Sequence, residues 1–490
     1  MVFTSWAFAG FFCVFLAILL VLRSRAQRLG FILLSSVVFY ALWDYRYVGV
    51  ILAPGIVDYW CAIRIEDTPR RRKQWLAFSI VFNLGLLSYF KYANFFLDNL
   101  AQFMRTEPLH LDVLLPVGIS FFTFKTLSYT IDVYRGQLRA CRSLGKYLTF
   151  IFYFPELVAG PIVRATVLLP QLSRSLRPSR RRLALGAQIV LLGVTKKLLI
   201  ADRLAPFVDE VFGHPAVFAS ATLALAVFAY ALQVYCDFSG YSDIAIGISK
   251  IIGLDLPENF NMPYLATSIG EFWRRWHITL SMWLRDYLYI PLGGNRHGRF
   301  NTYRNLMITM LLGGLWHGAH WNFVLWGGLH GLFLIIHRGW SRLVRWPSRA
   351  GQLFSWAVTF AAVCFAWIFF RASDLPTALT IITRILQFNA VGVQWIYSPL
   401  LMLLPLVLLA HYLGWRIGRR SAADAGEMRR GRSVFERLDF IRAVRPHAAA
   451  GPYAVVRFQT FGGAFLITAW LLVLLLFSAQ DSSPFIYFQF

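Results

Sequence analysis

Apolar runs long enough to cross a lipid bilayer recur along nearly the whole chain, and they constrain the fold most. A spanning helix needs about 20 such residues for roughly 30 Å of hydrocarbon. The runs lie at about 6–22, 29–43, 47–63, 76–99, 113–133, 184–200, 216–236, 305–319, 320–337, 353–370, 398–415 and 458–478. They lack the alternation of a lipid-spanning barrel, so they predict an all-α polytopic membrane protein.

The net charge of +24 is concentrated in short segments between the apolar runs. The basic clusters cover residues 64–73, 135–146, 174–182, 338–349 and 416–445. Basic loops face the cytoplasm, so these clusters predict the topology, and no nucleic-acid partner is expected. The excess arginine would also meet anionic headgroups of the bilayer or attract an anionic cytoplasmic substrate. Basic residues follow the first run rather than precede it, which predicts an external N-terminus.

Topology predicts an irregular element between two of these clusters. Residues 147–172 separate basic segments that both favour the inside, so one full crossing cannot join them. The segment contains Phe154-Pro155-Glu156-Leu157-Val158-Ala159-Gly160-Pro161, whose prolines and glycine interrupt a helix. A re-entrant or broken element covered by protein is one interpretation, and two short helices with a tight outer turn is the other.

The chain divides into a membrane core and a C-terminal part. We expect residues 1–415 to form the core, including a chemically important segment at 235–335. Residues 416–457 are expected to form a basic, loosely structured cytoplasmic insert, and 458–490 the last transmembrane helix with an external aromatic tail. The five cysteines are scattered without a CxxC pair, which indicates neither a disulfide framework nor a zinc site.

A basic aromatic segment at 268–288 precedes the most unusual histidine of the chain. On a continuous helix, Arg274, His277, Ser281 and Arg285 would share one face, and aromatic side chains would occupy another. This pattern predicts an amphipathic helix in the plane of the inner leaflet, whose cationic face suits phosphate groups. Simple anchoring to the membrane is the alternative.

His317 lies in the apolar sequence Gly313-Gly314-Leu315-Trp316-His317-Gly318. An ionisable side chain within a membrane segment is costly, so it indicates a functional site by default. A neutral imidazole can accept a proton from an attacking hydroxyl and return it to a leaving thiolate, and His277 could share that work. A structural hydrogen-bonding role is the competing interpretation for both histidines.

Two further patterns have competing explanations. Asp237 and Asp243, in the sequence after the run at 216–236, would cap helices or orient a charged partner, and capping is the commoner role. His317 and His320 are three residues apart, but no HExxH pattern or suitably spaced thiolate accompanies them, so we expect no metal. The absence of a GxSxG or Walker pattern disfavours a serine hydrolase or an ATP-driven transporter.

At these residues the chain resembles the membrane-bound O-acyltransferase family, and within it the bacterial alginate O-acetyltransferase branch. The resemblance rests on motifs that together cover much of 110–335. These are Pro116 to Phe124, Phe154 to Pro161, Tyr235 to Asp243, Asn259 to Tyr264, Gly270 to Asn295 and Leu315 to Phe323.

The resemblance implies a helical bundle with re-entrant elements and an internal tunnel in the bacterial inner membrane. It implies transfer of an acetyl group from cytoplasmic acetyl-CoA, as a donor substrate and without a bound cofactor, toward an exported polysaccharide such as alginate. A periplasmic SGNH-type acetyltransferase would complete the transfer. His317 and His277 match the two family histidines, and Arg274, Trp276, Ser281, Arg285, Asp237, Asn295 and Trp316 are expected to line the donor path or tunnel.

The C-terminal sequence Ser483-Pro484-Phe485-Ile486-Tyr487-Phe488-Gln489-Phe490 resembles an aromatic motif of the same branch. The hypothesis that follows is that Tyr487 accepts the acetyl group and passes it on, since a phenyl ester is more reactive than an alkyl one. An aromatic anchor at the membrane interface is the alternative. For the whole chain, a polysaccharide export channel or a non-catalytic envelope scaffold competes with the enzyme.

Overall fold

The computed structural model describes residues 2–157, 160–174, 176, 178–343, 348–388, 391–427, 444–446, 454–456, 460–478 and 485–486. Within these residues, nearly all regular structure is helical. The helices are α1 Trp6–Val21, α2 Arg25–Asp44, α3 Val48–Asp67, α4 Arg72–Leu87, α5 Ala93–Met104, α6 Ile119–Tyr134, α7 Leu144–Phe152, α8 Phe154–Leu157, α9 Ala165–Leu172, α10 Arg180–Val194, α11 Asp202–Gly213, α12 Ser220–Ile252, α13 Ile269–Arg275, α14 Ile278–Leu284, α15 Gly298–His317, α16 Trp321–Leu343, α17 Arg349–Arg371, α18 Leu375–Leu386, α19 Ser398–Glu427 and α20 Phe461–Phe477. The predicted all-α class is confirmed.

Five helical stretches of the described chain are long and apolar enough to cross a membrane. They are Arg25–Asp67, Pro69–Met104, Arg180–Gly213, Ser220–Ile252 and Arg349–Arg371. The sequence predicted twelve separate apolar runs. Some neighbouring runs lie within one of these five stretches, and other runs correspond to helices outside them. The runs at 113–133 and 305–337, for example, correspond to α6, α15 and α16, whose polar side chains are partly buried inside the protein. None of these three helices is among the five stretches, although their sequences are largely apolar.

Within the described residues, three segments form π-helical turns. They cover Ser88–Tyr92 between α4 and α5, Thr195–Ala201 between α10 and α11, and Arg285–Tyr289 after α14. Each turn contains charged residues. Such turns occur frequently at functional sites, because the extra residue changes the direction of the side chains that follow.

The described residues of 154–161 show the helix interrupted, as the prolines and the glycine predict. The four-residue helix α8 is buried, and Pro161 to Arg164 lead without helical structure into α9. Lys125 of α6 holds α8 in place through an ion pair, in which Lys125 Nζ lies 2.6 Å from Glu156 Oε2. Gly118, at the start of α6, has a φ of +79°, and a Cβ there would collide with the backbone oxygen of Leu157. The motif at 116–124 therefore contains a glycine where the start of α6 lies directly against the end of α8.

Helix α12 is the most deeply buried of the long helices and packs along α10. Gly186 and Gly193 of α10 lie directly against the backbone of Gly247 and Gly240 of α12, where an added Cβ would collide. Small residues allow two membrane helices to approach this closely. Asp237 and Asp243 lie inside this 33-residue helix. Their predicted role as N-terminal caps is therefore wrong.

The basic insert contains a short hairpin. Strand β1 (Val444–Pro446) pairs antiparallel with β2 (Ala454–Val456), in the register Val444 opposite Val456. The side-chain amide of Gln188 in α10 exchanges two hydrogen bonds with the backbone of Val456, at 3.0 and 2.7 Å. Helix α19 also continues beyond residue 415. These are the described contacts of the insert, and its predicted loose structure and cytoplasmic position stay predictions.

Candidate active site

The segment at 268–288 does not form the single amphipathic helix that its pattern predicts. Helix α13 ends at Arg275, and His277 adopts a left-handed backbone conformation with a φ of +40° before α14 begins. The loop before α13 makes backbone hydrogen bonds to both sides of the break. Ile278 N donates to Asn259 O at 2.9 Å, and Asn261 N donates to Arg275 O at 2.9 Å. The periodic pattern continues across the break, so sequence alone could not locate it.

This break turns His277 into the protein. The imidazole is fully buried, whereas Arg274 and Arg285, predicted on the same face, are exposed. His277 Nδ1 lies 3.1 Å from Asn259 Oδ1, a hydrogen-bond acceptor, so Nδ1 carries the proton. His277 Nε2 is buried and has no hydrogen-bond partner among the described residues. Burial lowers the pKa of this imidazole to about 3, so it is neutral at physiological pH.

Asn259 connects His277 to the broken element. Its Oδ1 also accepts from Thr279 Oγ1 at 2.8 Å, and Thr279 Oγ1 in turn accepts from the backbone N of Ile162 at 3.0 Å. Its amide nitrogen donates to Ser242 Oγ of α12 at 3.3 Å. One asparagine thus fixes the tautomer and position of the histidine relative to two other elements. Asn259 belongs to the motif Asn259 to Tyr264, but no pattern in the sequence indicates this role.

His317 is the last residue of α15 and is 3 % exposed. Its ring lies 5.0 Å from Trp316, 5.0 Å from Trp326 and 5.3 Å from Phe370, measured between ring centroids. The Trp316 ring also lies 6.1 Å from the ring of His277. The two predicted histidines are therefore brought to the same buried aromatic cluster, and both rings lie near Trp316.

Lys91 and Tyr92 hold the helix end that bears His317. Lys91 Nζ lies 2.7 Å from Trp316 O, 3.1 Å from His317 O and 3.2 Å from Ser120 Oγ. Tyr92 OH donates to Leu315 O at 2.9 Å. The last carbonyls of a helix lack partners within it and favour a cation nearby. Neither residue was identified from the sequence, because the contact spans more than 220 positions.

A third histidine, His330 of α16, completes the cluster and was also missed. Its ring centroid lies 4.8 Å from that of Trp326, whose ring also lies beside His317. Neither ring nitrogen of His330 has a hydrogen-bond partner among the described residues, and the same holds for Nε1 of Trp316 and of Trp326. Buried polar atoms without partners are uncommon and mark sites where polar groups of a ligand can bind.

The other predicted residues lie in different environments. Trp276 and Trp316 are buried in the cluster, and Ser281 is half-buried with its hydroxyl donating to Trp276 O at 3.3 Å. Asn295 and Arg274 are exposed. Asp237 is buried in α12, where it forms an ion pair with Lys197. Tyr487 lies outside the described residues.

Arg285 belongs to a separate arginine group at the end of the segment. Arg285 Nε and an Arg164 nitrogen each lie 2.6 Å from a carboxylate oxygen of Asp286, and Arg135 donates to its backbone oxygen at 3.1 Å. Burial raises the pKa of Asp286, but the hydrogen bonds from Arg285 and Arg164 outweigh it and lower the pKa below its ordinary value. Three arginines with one carboxylate leave this surface positive.

The fold and the site together define a polytopic α-helical membrane protein with neutral histidines in a buried aromatic cluster. Among the described residues, no group of three histidine, cysteine, aspartate or glutamate side chains could hold a metal ion. A profile of the membrane-bound O-acyltransferase family matches residues 72–373. The chain belongs to this family, and it is an O-acyltransferase.

Individual relatives extend the match to both ends of the chain. The chain is 38% identical to a probable alginate O-acetylase of Pseudomonas putida over 507 aligned positions, which cover 100% of both proteins. It is 37% identical to a peptidoglycan O-acetyltransferase of Helicobacter pylori over 74% of each chain. A teichoic acid D-alanyltransferase of Bacillus subtilis is 29% identical over 52% of this chain and 68% of its own length.

Proposed function

We propose that this O-acyltransferase moves an acetyl group from cytoplasmic acetyl-CoA across the bacterial inner membrane for O-acetylation of an exported polysaccharide. A periplasmic SGNH-type acetyltransferase completes the transfer. The observation that carries the proposal is the pair of buried histidines around Trp316, with an acceptor nitrogen of His277 unpartnered among the described residues. Relatives named as alginate and peptidoglycan O-acetyltransferases support the substrate class.

In the proposed reaction, His317 acts as the general base. Its imidazole accepts the proton of the acceptor hydroxyl while that oxygen attacks the thioester carbonyl carbon of acetyl-CoA. The new C–O bond forms, the C–S bond breaks, and the imidazolium returns the proton to the CoA thiolate. His277, held as the Nδ1–H tautomer by Asn259, accepts a hydrogen bond through Nε2 and orients the reacting groups.

The arginine group around Asp286 is the proposed contact for the phosphates of the donor. Arg135, Arg164 and Arg285 come from three different elements and converge on Asp286: Arg164 and Arg285 bind its carboxylate, and Arg135 donates to its backbone oxygen. Guanidinium groups suit phosphate because they offer paired donors in a planar arrangement. Arg285 and Asp286 directly follow α14 in the chain, and α14 begins next to His277.

The test of the function measures dependence on the donor. Purified protein in nanodiscs is supplied with carbon-labelled acetyl-CoA, the SGNH-type partner and polysaccharide, and both CoA release and labelled polymer are measured. We expect CoA release that depends on the protein and label that reaches the polymer. If no CoA is released with all components present, an export channel or a scaffold explains the chain better.

Tyr487→Phe tests the acyl-carrier hypothesis. We expect acetylation of the polymer to fall by about 10²-fold, the loss typical of removing one reacting group, since phenylalanine has no oxygen to carry the ester. Tyr45→Phe is the matched control, because Tyr45 is strongly exposed. Full acetylation by the Tyr487→Phe protein would show that the hydroxyl attacking the donor belongs to another group.

Asn259→Ala tests the support of His277. The change removes the acceptor of both His277 Nδ1 and Thr279 Oγ1, so the imidazole loses its fixed tautomer and orientation. We expect CoA release to slow by about 10- to 100-fold, as for other groups that orient a reacting histidine. Asn261→Ala, in an exposed position of the same loop, should retain the wild-type rate. Equal rates for both variants would remove Asn259 from the mechanism.

A further inference from the structure

The two described residues of the C-terminal tail are buried inside the bundle. Phe485 is 0 % and Ile486 4 % exposed. The ring of Phe485 lies 4.3 Å from the ring of Tyr241 and 5.8 Å from that of Phe238, both in α12. The backbone N of Ile486 donates to Asp237 Oδ2 at 2.8 Å. The tail therefore makes both packing and polar contacts with the same helix.

Asp237 belongs to a buried ion triad. Lys197 Nζ lies 2.8 Å from Asp237 Oδ1 and 2.7 Å from Asp202 Oδ1, and all three side chains are almost completely buried. When ionised, two carboxylates and one ammonium leave a net charge of −1. Buried charge is costly unless it is paired and hydrogen-bonded. The N–H of Ile486 gives Asp237 a charge-assisted hydrogen bond, which lowers that cost.

Local structure places the triad where the tail can reach it. Lys197 lies in the π-helical turn Thr195–Ala201, and Asp202 begins the helix that follows. Just before this turn, Gly193 contacts the backbone of Gly240, which brings the turn against α12 next to Asp237. A side chain larger than glycine at either position would separate the two helices and thereby the triad.

We propose that Asp237, Lys197 and Asp202 form a receptor for the C-terminal segment of the chain itself. The carboxylate binds the backbone of Ile486, and Tyr241 and Phe238 bind the ring of Phe485. The receptor holds the segment near the active site, because Phe238 also lies 4.7 Å from the ring of His277. The proposal goes beyond acetyl transfer, since the segment binds whether or not Tyr487, the next residue, carries an acyl group.

The chemistry of the receptor predicts its specificity. A carboxylate that binds a backbone N–H accepts most residues at position 486 but not proline, which has no N–H. The aromatic contacts, in contrast, select a ring at position 485. Ile486→Pro therefore removes the polar contact from the tail side and leaves every receptor residue intact. Ile486→Leu keeps the N–H and the apolar volume, and it is the matched control.

Hydrogen exchange of the C-terminal peptide tests the receptor. The full chain in nanodiscs is compared as wild type, Asp237→Ala, Ile486→Pro and Ile486→Leu, with deuterium uptake measured by mass spectrometry. We expect slow uptake in the wild type and in Ile486→Leu, and uptake about tenfold faster or more in the other two, because the peptide then opens more often. No acyl donor is added, so the result is independent of the proposed reaction.

Each alternative result has a defined meaning. Equal uptake in all four proteins would overturn the receptor, because membrane burial alone would then protect the tail. If Asp237→Ala does not fold, which gel filtration and thermal unfolding will show, Ile486→Pro still decides the question from the tail side. Uptake in Ile486→Pro that matches Ile486→Leu would also contradict the proposal.

Discussion

His317→Gln is expected to abolish nearly all acyl transfer. Glutamine keeps hydrogen-bonding capacity but cannot take up a proton at neutral pH, so the rate of CoA release should fall by about 10²- to 10⁴-fold. The measurement is the rate of CoA release by purified variant and wild type at saturating acetyl-CoA. The side chain is buried, so the thermal unfolding of both proteins must be compared as well.

His297→Gln is the matched control for this change. His297 immediately precedes α15, the helix that His317 ends, but it is exposed. We expect its rate to equal that of the wild type. A folded His317→Gln protein that releases CoA at the wild-type rate would assign the proton transfer to another residue.

Lys91→Met is expected to slow the reaction by about 10²-fold, although Lys91 is not proposed to touch the substrate. The ammonium has three acceptors, which are Trp316 O, His317 O and Ser120 Oγ, and methionine satisfies none of them. The end of α15 then loses its cation, His317 shifts, and a misplacement of about 1 Å can cost about 10²-fold in rate.

The pattern of kinetic effects distinguishes positioning from general destabilisation. We expect kcat to fall with KM nearly unchanged in Lys91→Met, and Lys91→Arg to recover part of kcat, because arginine can donate to the same carbonyls. Lys73→Met, at an exposed position of α4, should behave as wild type. If Lys91→Arg were as slow as Lys91→Met while both proteins unfold at the wild-type temperature, the proposed clamp would be wrong.

The sequence predicted the elements that depend on composition and local pattern. Apolar runs indicated a helical membrane protein, the prolines at 155 and 161 indicated a broken element, and the unusual surroundings of His317 indicated a site. Each of these depends on residues close together in the chain. The structure confirms the fold and brings His277 and His317 together, whereas their catalytic roles stay proposals.

The remaining features depend on contacts between distant segments. Asp237 and Asp243 are residues typical of helix caps, but α12 continues through them and packs closely on α10 at Gly240 and Gly247. Likewise, nothing in the sequence distinguishes Lys91 and Lys197 from other lysines. Both lie in π-helical turns, which have no recognisable sequence signal, and these turns direct them to their partners.

The most direct test of the account follows acetyl transfer across a membrane. Proteoliposomes enclose the SGNH-type partner and polysaccharide, and labelled acetyl-CoA, which cannot cross the bilayer, is added outside. We expect labelled polymer in the lumen and free CoA outside, with neither formed by His317→Gln. Polymer that stays unlabelled, although the partner and the polymer are intact, would contradict it.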